Sequence, residues 1–496
     1  MTIKRAKSSA TIAARSEAEA FFAANPDIDS VEMIYTDMGG VPRGKRLRQH
    51  EVLSVYEIGR FFPGSITVVD ITGQDTVETG LVWEDGDADR SMKPIPGTLV
   101  RTPWAGDNAA QFMVDFYELD GQPHDLDSRH VLGLVVDRFA EMGLTPALAV
   151  ELEFYLLDPK RARDGSIRPA RPDYSHETPQ MVEVYGLREL DDFRPFFDEL
   201  YETCDIQGLP LESAISEFAP GQCELTLRYK PDVLRACDDA IMYKRVVKAV
   251  AQAHGLEATF MAKPFAEQAG SGMHIHVSMN DADGKNLFAS DDPEGTPMLR
   301  HAIGGMISAV GDCFALFAPH ANSYRRFKAN SYAPVAPTWG VNNRTVSFRI
   351  PAGPAASRHV EHRACGADAN PYLAVAGVLA GIHHGIVNQI DPGPAVVGNG
   401  YDRDRSGDEE PPSNWSIYKQ PAAILKPLAY TERFSEEPEE VLLDKDGQEW
   451  CVNPECDNYN HLPKQYYPNL IPGKTEDWLR VYLRSEYGRS LSGTPV

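Results

Sequence analysis

From Val31 to about Asp120, apolar side chains gather in short strand-like runs broken by Gly and Pro. Beyond that, strand-like runs alternate with longer stretches of helical spacing. The segments VEMIYTD (31–37) and SITVVDIT (65–72), punctuated by Gly and Pro, predict strands. So does the stretch from Gln111 to Tyr117, past the turn-rich Lys93–Thr98 passage. A short helix ends near Asn25-Pro26, ahead of these strands. Helical spacing predicts a helix from His130 to Met142, with Asp127-Ser128 as its cap and Gly143 as its stop. Ala147 to Leu157 reads as a buried strand, and Asp232 to His254 as a helix capped by Asp232 and ended by Gly255. Asn370-Pro371 opens a further helix, with Asn as cap and Pro at the first helical position. These elements divide the chain into a tail and helix (1–25), a strand-rich N-terminal domain (26–123) and a larger domain of alternating strands and long helices (124–496). Tyr401 to Asn414 is acidic, proline-rich and reads as a loop.

The chain has 496 residues, 42% apolar and 24% charged, values of an ordinary globular protein with about two to three domains. Its longest nearly apolar run, Leu373 to Ile382, has ten residues, about half of what a membrane span requires. Acids outnumber bases 72 to 48, a formal net charge of −24. A field of that sign disfavours nucleic acid and anionic membrane as partners, and acids crowded into a site imply a cation. The seven cysteines follow no framework spacing, which fits a reducing cytoplasm. Lys4, Arg5, Lys7 and Arg15 among Ser and Ala have the look of a transit peptide. Glu17, Glu19 and the lack of a following apolar region favour a frayed tail instead. No Walker-type or dinucleotide-type glycine loop is present.

Candidate chemistry gathers in four places. Glu151 and Glu153 share one face of the strand AVELEFYLL. They mark either a strand end at the surface or a buried pair that something must neutralise. Glu217 and Glu224 flank Ala219-Pro220-Gly221-Gln222, where Pro-Gly signals a type II turn. A two-residue turn there sets Glu217 opposite Glu224, tolerable around a cation or on a solvent hairpin. In Gly270-Ser271-Gly272-Met273-His274-Ile275-His276-Val277-Ser278, the side chains of His274, His276 and Ser278 share a face, as ligands or as structure. His359, Glu361 and Arg363 share another, as a salt-bridged strand or part of a site.

Together these fragments resemble the glutamine synthetase family from about residue 30 to residue 385. GSGMHxH, the ExE strand, the E-x6-E hairpin with its PGQ turn, NRTVSFRIP and ANPY occur in that family's order and approximate spacing. The resemblance implies an α+β glutamine synthetase fold, with a small N-terminal β-grasp domain and a large catalytic α/β domain. It implies a homo-oligomer whose sites form between subunits, a dodecamer of two hexameric rings. One metal site falls on Glu153, Glu217 and Glu224, and a second on Glu151, His274 and Glu361. Carboxylates with one imidazole suit Mg²⁺ or Mn²⁺, two to three ions per site. Glu212, His276 and Ser278 match nucleotide contacts, and Arg344 and Arg349 match the arginines on the γ-phosphate of ATP. Gly270, Arg326 and Arg363 match glutamate-binding positions, although the family's asparagine beside that glycine is Ala269 here. The implied reaction passes through γ-glutamyl phosphate to a γ-glutamyl amide.

Two departures redirect the expected substrate. Aligning SYRRFKANSYAP puts Tyr332 where ammonia-using members carry a glutamate, and Pro63 falls where they carry an ammonium-binding aspartate. An ammonia pocket altered in this way resembles that of the γ-glutamyl polyamine or alkylamine ligase branch. The expected partners are glutamate, ATP and a small amine. The competing readings are an ordinary ammonia-using glutamine synthetase and a non-catalytic structural or regulatory relative. Trp415 to Val496 matches the family poorly, and Cys451, Cys456 and His461 lack a standard zinc spacing.

Overall fold

The computed structural model describes residues 11–172 and 184–401, together with the backbone of three short strands further on. The N-terminal part begins with helix α1 (Arg15–Ala24) and carries a six-stranded sheet. Its strands are β1 (Ser30–Thr36), β2 (Pro42–Arg48), β3 (Arg60–Pro63), β4 (Asp89–Pro94), β5 (Val100–Arg101) and β6 (Ala109–Tyr117). Their order is β2-β1-β6-β4-β3, with β5 added to β6. β1 and β6 run parallel at the centre. Helices α1 and α2 (Gln49–Ile58) close one face, burying Phe22, Val52 and Tyr56 with Met33, Phe112 and Phe116 of the sheet.

The segment 65–72 departs from the strand its β-branched residues predict. Gly64–Val68 forms a 3₁₀ turn, where Thr67 Oγ1 donates to the Gly64 carbonyl at 2.8 Å. The Thr67 carbonyl accepts from Met38 N at 2.8 Å. Thr67, Val68 and Val69 are buried while Ile71 and Thr72 stay exposed, and the segment joins no ladder.

The second sheet has eight strands: β7 (Thr145–Leu157), β8 (Leu211–Ser216), β9 (Gln222–Lys230), β10 (Glu257–Thr259), β11 (Met273–Asn280), β12 (Trp339–Val341), β13 (Phe348–Ile350) and β14 (Val360–His362). The order is β12-β13-β14-β11-β7-β9-β8, with β10 beside the end of β7. β7 is flanked on both edges, which explains its long apolar run. Helices α3 (Ser128–Ala140), α4 (Leu187–Asp192), α5 (Arg194–Gln207), α6 (Val233–Ala253), α7 (Pro297–Ala309), α8 (Phe314–Phe317) and α9 (Pro371–Asn388) complete the fold. The predicted caps form. Asp127 accepts from the Arg129 and His130 amides, Asp232 from Arg235 N, and Asn370 from the amides of Tyr372 and Leu373. The ten-residue apolar run lies within α9, most of it buried. No described helix is long and apolar enough to cross a membrane.

Buried polar contacts lock the two sheets' layers together. Arg129 on α3 donates to Asp238 of α6 at 2.7 and 3.1 Å and to Asp115 of β6 at 2.8 Å. The Tyr372 hydroxyl of α9 donates to the same Asp238 at 2.8 Å. Asn370, already the α9 cap, donates its amide to the Asp37 and Met38 carbonyls beyond β1. Strands β15 (Val441–Leu443), β16 (Glu449–Cys451) and β17 (Asn460–His461) form a small separate sheet. The loop expected through Asn414 and most of Trp415 to Val496 lie outside the described residues, as do the side chains of Cys451, Cys456 and His461.

Candidate active site

Charged side chains form a diagonal band across one face of the second sheet, and strand register puts them there. Glu153 of β7 stands opposite Glu224 of β9. Glu151, two residues earlier and on the same face, stands opposite His274 of β11. His276, two further along β11, faces Glu361 of β14, which in turn faces Arg349 of β13. Four strand pairings therefore converge residues up to 210 positions apart (Glu151 to Glu361) into one site.

Glu217 joins the band by a different route from the one its turn predicts. Pro220-Gly221 does make the tight turn, with Gly221 at φ +75° and Gln222 N donating to the Ala219 carbonyl at 2.9 Å. Yet Ile215, not Glu217, stands opposite Glu224, and Glu217 N bonds the Gln222 carbonyl at 2.8 Å. The register is shifted by two residues, and Phe218 is pushed out to 46% exposure. An even shift keeps side chains on their face, so Glu217 still reaches the cluster, diagonally. Glu189 of α4, which sequence reasoning did not single out, braces this hairpin by accepting from Gly221 N and Ser216 Oγ. Its helix carries no local signal of that role.

The ligand atoms fall into three overlapping groups, in each of which they lie within 4.8 Å of one another: Glu153, Glu217 and Glu224; Glu151, Glu224 and His274; and Glu151, His276 and Glu361. His274 Nδ1 is 3.2 Å from Glu151 and 3.7 Å from Glu361. His276 Nε2 lies 3.1 Å from Glu151, and its Nδ1 is 3.0 Å from His359 Nε2. His276, expected at a nucleotide contact, stands beside the carboxylates, and the alternation 359/361/363 was the sequence signal for His359.

Electrostatics split the cluster. Burial alone would raise Glu361, but Arg363, the two histidines and Arg349 hold it down to about 2. Glu151 is likewise held low against its burial by hydrogen bonds from His274 and His276. The other three lack sufficient cationic compensation. Burial and the Glu217 charge push Glu153 up to about 8. Burial and the surrounding glutamates push Glu224 up to about 10. Glu217 is raised chiefly by burial. Three converging carboxylates without enough positive charge fit a divalent cation that takes oxygen ligands. Burial and the nearby Arg363 lower His274, which keeps its imidazole neutral as ligation requires.

Of the remaining expected residues, Arg349 and Arg363 touch this band and Glu212 and Pro63 lie on other strands. Arg349 Nη1 donates to Glu361 at 2.8 Å, and Arg363 pairs with the other Glu361 oxygen. Arg344, exposed in the turn between β12 and β13, is close enough to lower the Glu217 pKa. Arg326 is buried and donates to the Ala364 carbonyl at 3.1 Å. A β-carbon on Gly270 would stand 2.6 Å from Arg326 Cγ, so the glycine is what admits the arginine. Ser278 is buried and within 2.9 Å of the Tyr229 hydroxyl. Glu212 is exposed on β8, at the end of the sheet, where it pairs with Arg228 at 3.1 Å. Pro63 ends β3 in the N-terminal sheet, whereas Tyr332 lies in the loop before β12, its ring 6.2 Å from Phe218. Phe218 had no sequence signal, because its exposure depends on the hairpin shift.

The family model for the glutamine synthetase catalytic domain matches residues 125–417. Gamma-glutamylputrescine synthetase PuuA of Escherichia coli (strain K12) is 40% identical over 381 residues, covering 76% of this chain and 80% of that protein. Gamma-glutamylethanolamide synthetase GlnA4 of Streptomyces coelicolor is 35% identical over 383 residues, again 76% of this chain and 80% of the relative. The solved structure of GmaS without ligand superposes with a TM-score of 0.69 at 30% identity, covering 82% of this chain and 89% of that one.

Proposed function

This chain belongs to the glutamine synthetase family of ATP-dependent glutamate–amine ligases, and we propose that its amine is organic rather than ammonia. The observation that carries this reading is the pair of replacements, Tyr332 and Pro63, at the two positions where ammonia-using members hold acids. The likeness to synthetases of γ-glutamylputrescine and γ-glutamylethanolamide supports it.

In this reading Glu153, Glu217 and Glu224 hold one divalent ion, and Glu151, His274 and Glu361 a second, with Mg²⁺ or Mn²⁺ and up to three ions per site. Such ions supply positive charge against the phosphates of ATP. Glu212, His276 and Ser278 contact the nucleotide. Arg344 and Arg349 hold the γ-phosphate and stabilise charge as it transfers. Arg326 and Arg363, with the backbone at Gly270, orient glutamate by its carboxylates. The γ-carboxylate oxygen attacks the γ-phosphorus, and ADP departs. The neutral amine then attacks the acyl carbon, the C–O bond to phosphate breaks, and the nitrogen loses its proton.

An alkylamine has a pKa of roughly 10.4, so fewer than about one molecule in a thousand is neutral at pH 7. In this reading Tyr332, with Pro63 contributed by a neighbouring subunit of the ring, compensates with carbon surface. Each fully buried methylene contributes about 0.8 kcal/mol, and four contribute roughly 3 kcal/mol, about a hundredfold in affinity. Residues 26–123 and 124–496 serve as two domains of a ring oligomer, a dodecamer of two hexamers.

The test is phosphate release with ATP, glutamate and a panel of amines beside ammonium, with products identified by mass. The expected kcat/KM for the preferred amine exceeds that for ammonium by at least about two orders of magnitude. Equal turnover with ammonium across a broad panel would overturn the proposal in favour of glutamine synthesis.

A further inference from the structure

We infer that Phe218, together with Tyr332, sets the amine specificity of this site by forming one apolar wall for the carbon chain of an aliphatic primary amine. The inference rests on the organic-amine reading above and adds a residue that reading does not contain. Phe218 follows Glu217, a member of the carboxylate cluster, by one peptide bond. The two-residue register shift at the β8–β9 hairpin leaves its ring 46% exposed. Tyr332 arrives from the loop before β12 and is 54% exposed. The two ring centroids lie 6.2 Å apart with their planes tilted by 55°, so the rings adjoin in one apolar surface.

Both rings are held from behind, so the pair is prearranged. The Phe218 hairpin is pinned by Glu189, which accepts from Gly221 N and Ser216 Oγ. Tyr332 has φ +59°, a left-handed conformation that a tyrosine rarely adopts. That conformation is maintained from both sides of the residue. The Tyr401 hydroxyl donates to the carbonyl of Ala333, the next residue, at 3.0 Å. Ser331 Oγ donates to the Arg326 carbonyl at 3.0 Å and the Lys328 carbonyl at 2.6 Å. Arg326, one of the expected glutamate-binding arginines, thus lies at the base of the same loop.

In the single chain each ring keeps about half of its surface free, Phe218 at 46% and Tyr332 at 54%. They suit a substrate with an apolar middle and a cationic end: methylenes bury against ring faces, and an ammonium gains from the ring quadrupole. Ammonium itself has no carbon surface to offer the pair.

The experiment measures kcat/KM for methylamine, propylamine, butylamine and ammonium in the wild type and in Phe218→Ala, Phe218→Leu, Phe218→Tyr and Tyr332→Leu, all as the full chain in its native assembly. Thermal unfolding of each variant reports folding. In the wild type, kcat/KM rises by up to about fourfold per added methylene. In Phe218→Ala the rise flattens, and the butylamine-to-ammonium ratio falls at least about tenfold. Phe218→Leu gives an intermediate slope, Phe218→Tyr restores it, and Tyr332→Leu flattens it likewise. A wild type without preference for organic amines would overturn the organic-amine reading and this inference with it. A wild type that prefers them, with slope and ratio unaltered in folded Phe218→Leu or Phe218→Ala, would overturn the role of Phe218 alone.

Discussion

Replacing Gly270 by alanine tests whether the proposed glutamate pocket is shaped by close packing on an arginine. The added β-carbon would stand 2.6 Å from Arg326 Cγ and 2.8 Å from the Ala262 carbonyl oxygen. Carbon atoms in contact rest at about 3.5–4.0 Å, so the substitution demands a displacement of about 1 Å. Neither neighbour yields freely. The Ala262 carbonyl accepts from Ser271 N at 2.8 Å. Arg326 is only 4% exposed, and its Nη1 donates to the Ala364 carbonyl at 3.1 Å. Overpacking of this kind costs about 1–3 kcal/mol, and a catalytic group displaced by about 1 Å loses on the order of a hundredfold in rate. Gly270→Ala should therefore raise the glutamate KM about ten- to a hundredfold and lower the urea midpoint accordingly, with the ATP KM moving less than about threefold. Steady-state phosphate release with varied glutamate, alongside urea unfolding followed by circular dichroism, reads both quantities. Gly311→Ala is the control: its β-carbon would meet nothing within 4 Å, so stability should change by less than about 0.5 kcal/mol. If Gly270→Ala bound glutamate and unfolded like the wild type, the claim that this glycine positions Arg326 would be wrong.

Metal uptake should release about two protons per site at pH 7, because Glu153 and Glu224, held up at about 8 and about 10, are protonated until a cation displaces the protons. The dependence of the Mg²⁺ or Mn²⁺ binding enthalpy on buffer ionisation enthalpy measures this, and a zero slope contradicts it. Metal affinity should accordingly rise with pH from 6 to 10. Arg129→Ala strands the Asp115 and Asp238 carboxylates in the layer between the sheets, which should cost about 3–5 kcal/mol in denaturant unfolding. Burial already raises Asp115 to about 6, so the folded state binds a proton there more readily than the unfolded chain. Stability is thus regained as pH falls, and the Arg129→Ala loss should be smaller at pH 5 than at pH 8. Loss independent of pH would exclude that origin. Light scattering of an active preparation should give about 660 kDa, twelve copies of a 54.8 kDa chain, and a monomeric mass would refute the ring assembly.

What could be learned from the sequence was whatever depends on neighbours within a few residues. Asp127, Asp232 and Asn370 cap helices because a short polar side chain reaches amides two or three positions on. Glu151 with Glu153, and His274 with His276, share faces because a strand repeats every two residues, whichever strand lies beside it. The family pattern carried the wider outline, including which acids belong to one site. Only the tertiary structure decided the rest, since each remaining feature depends on a partner distant along the chain. The 65–72 segment has strand chemistry, yet its Thr67 carbonyl is taken by the Met38 amide, and it turns instead. A Pro-Gly turn alone leaves Glu217 opposite Glu224, whereas the structure seats Ile215 there, with Glu189 bracing the turn. Five glutamates of equal intrinsic acidity diverge because arginines and histidines from β11, β13 and the end of β14 surround Glu151 and Glu361, while burial dominates at Glu153, Glu217 and Glu224. Charge, unlike a cap, is read through space, and folding alone determines the distances over which it acts.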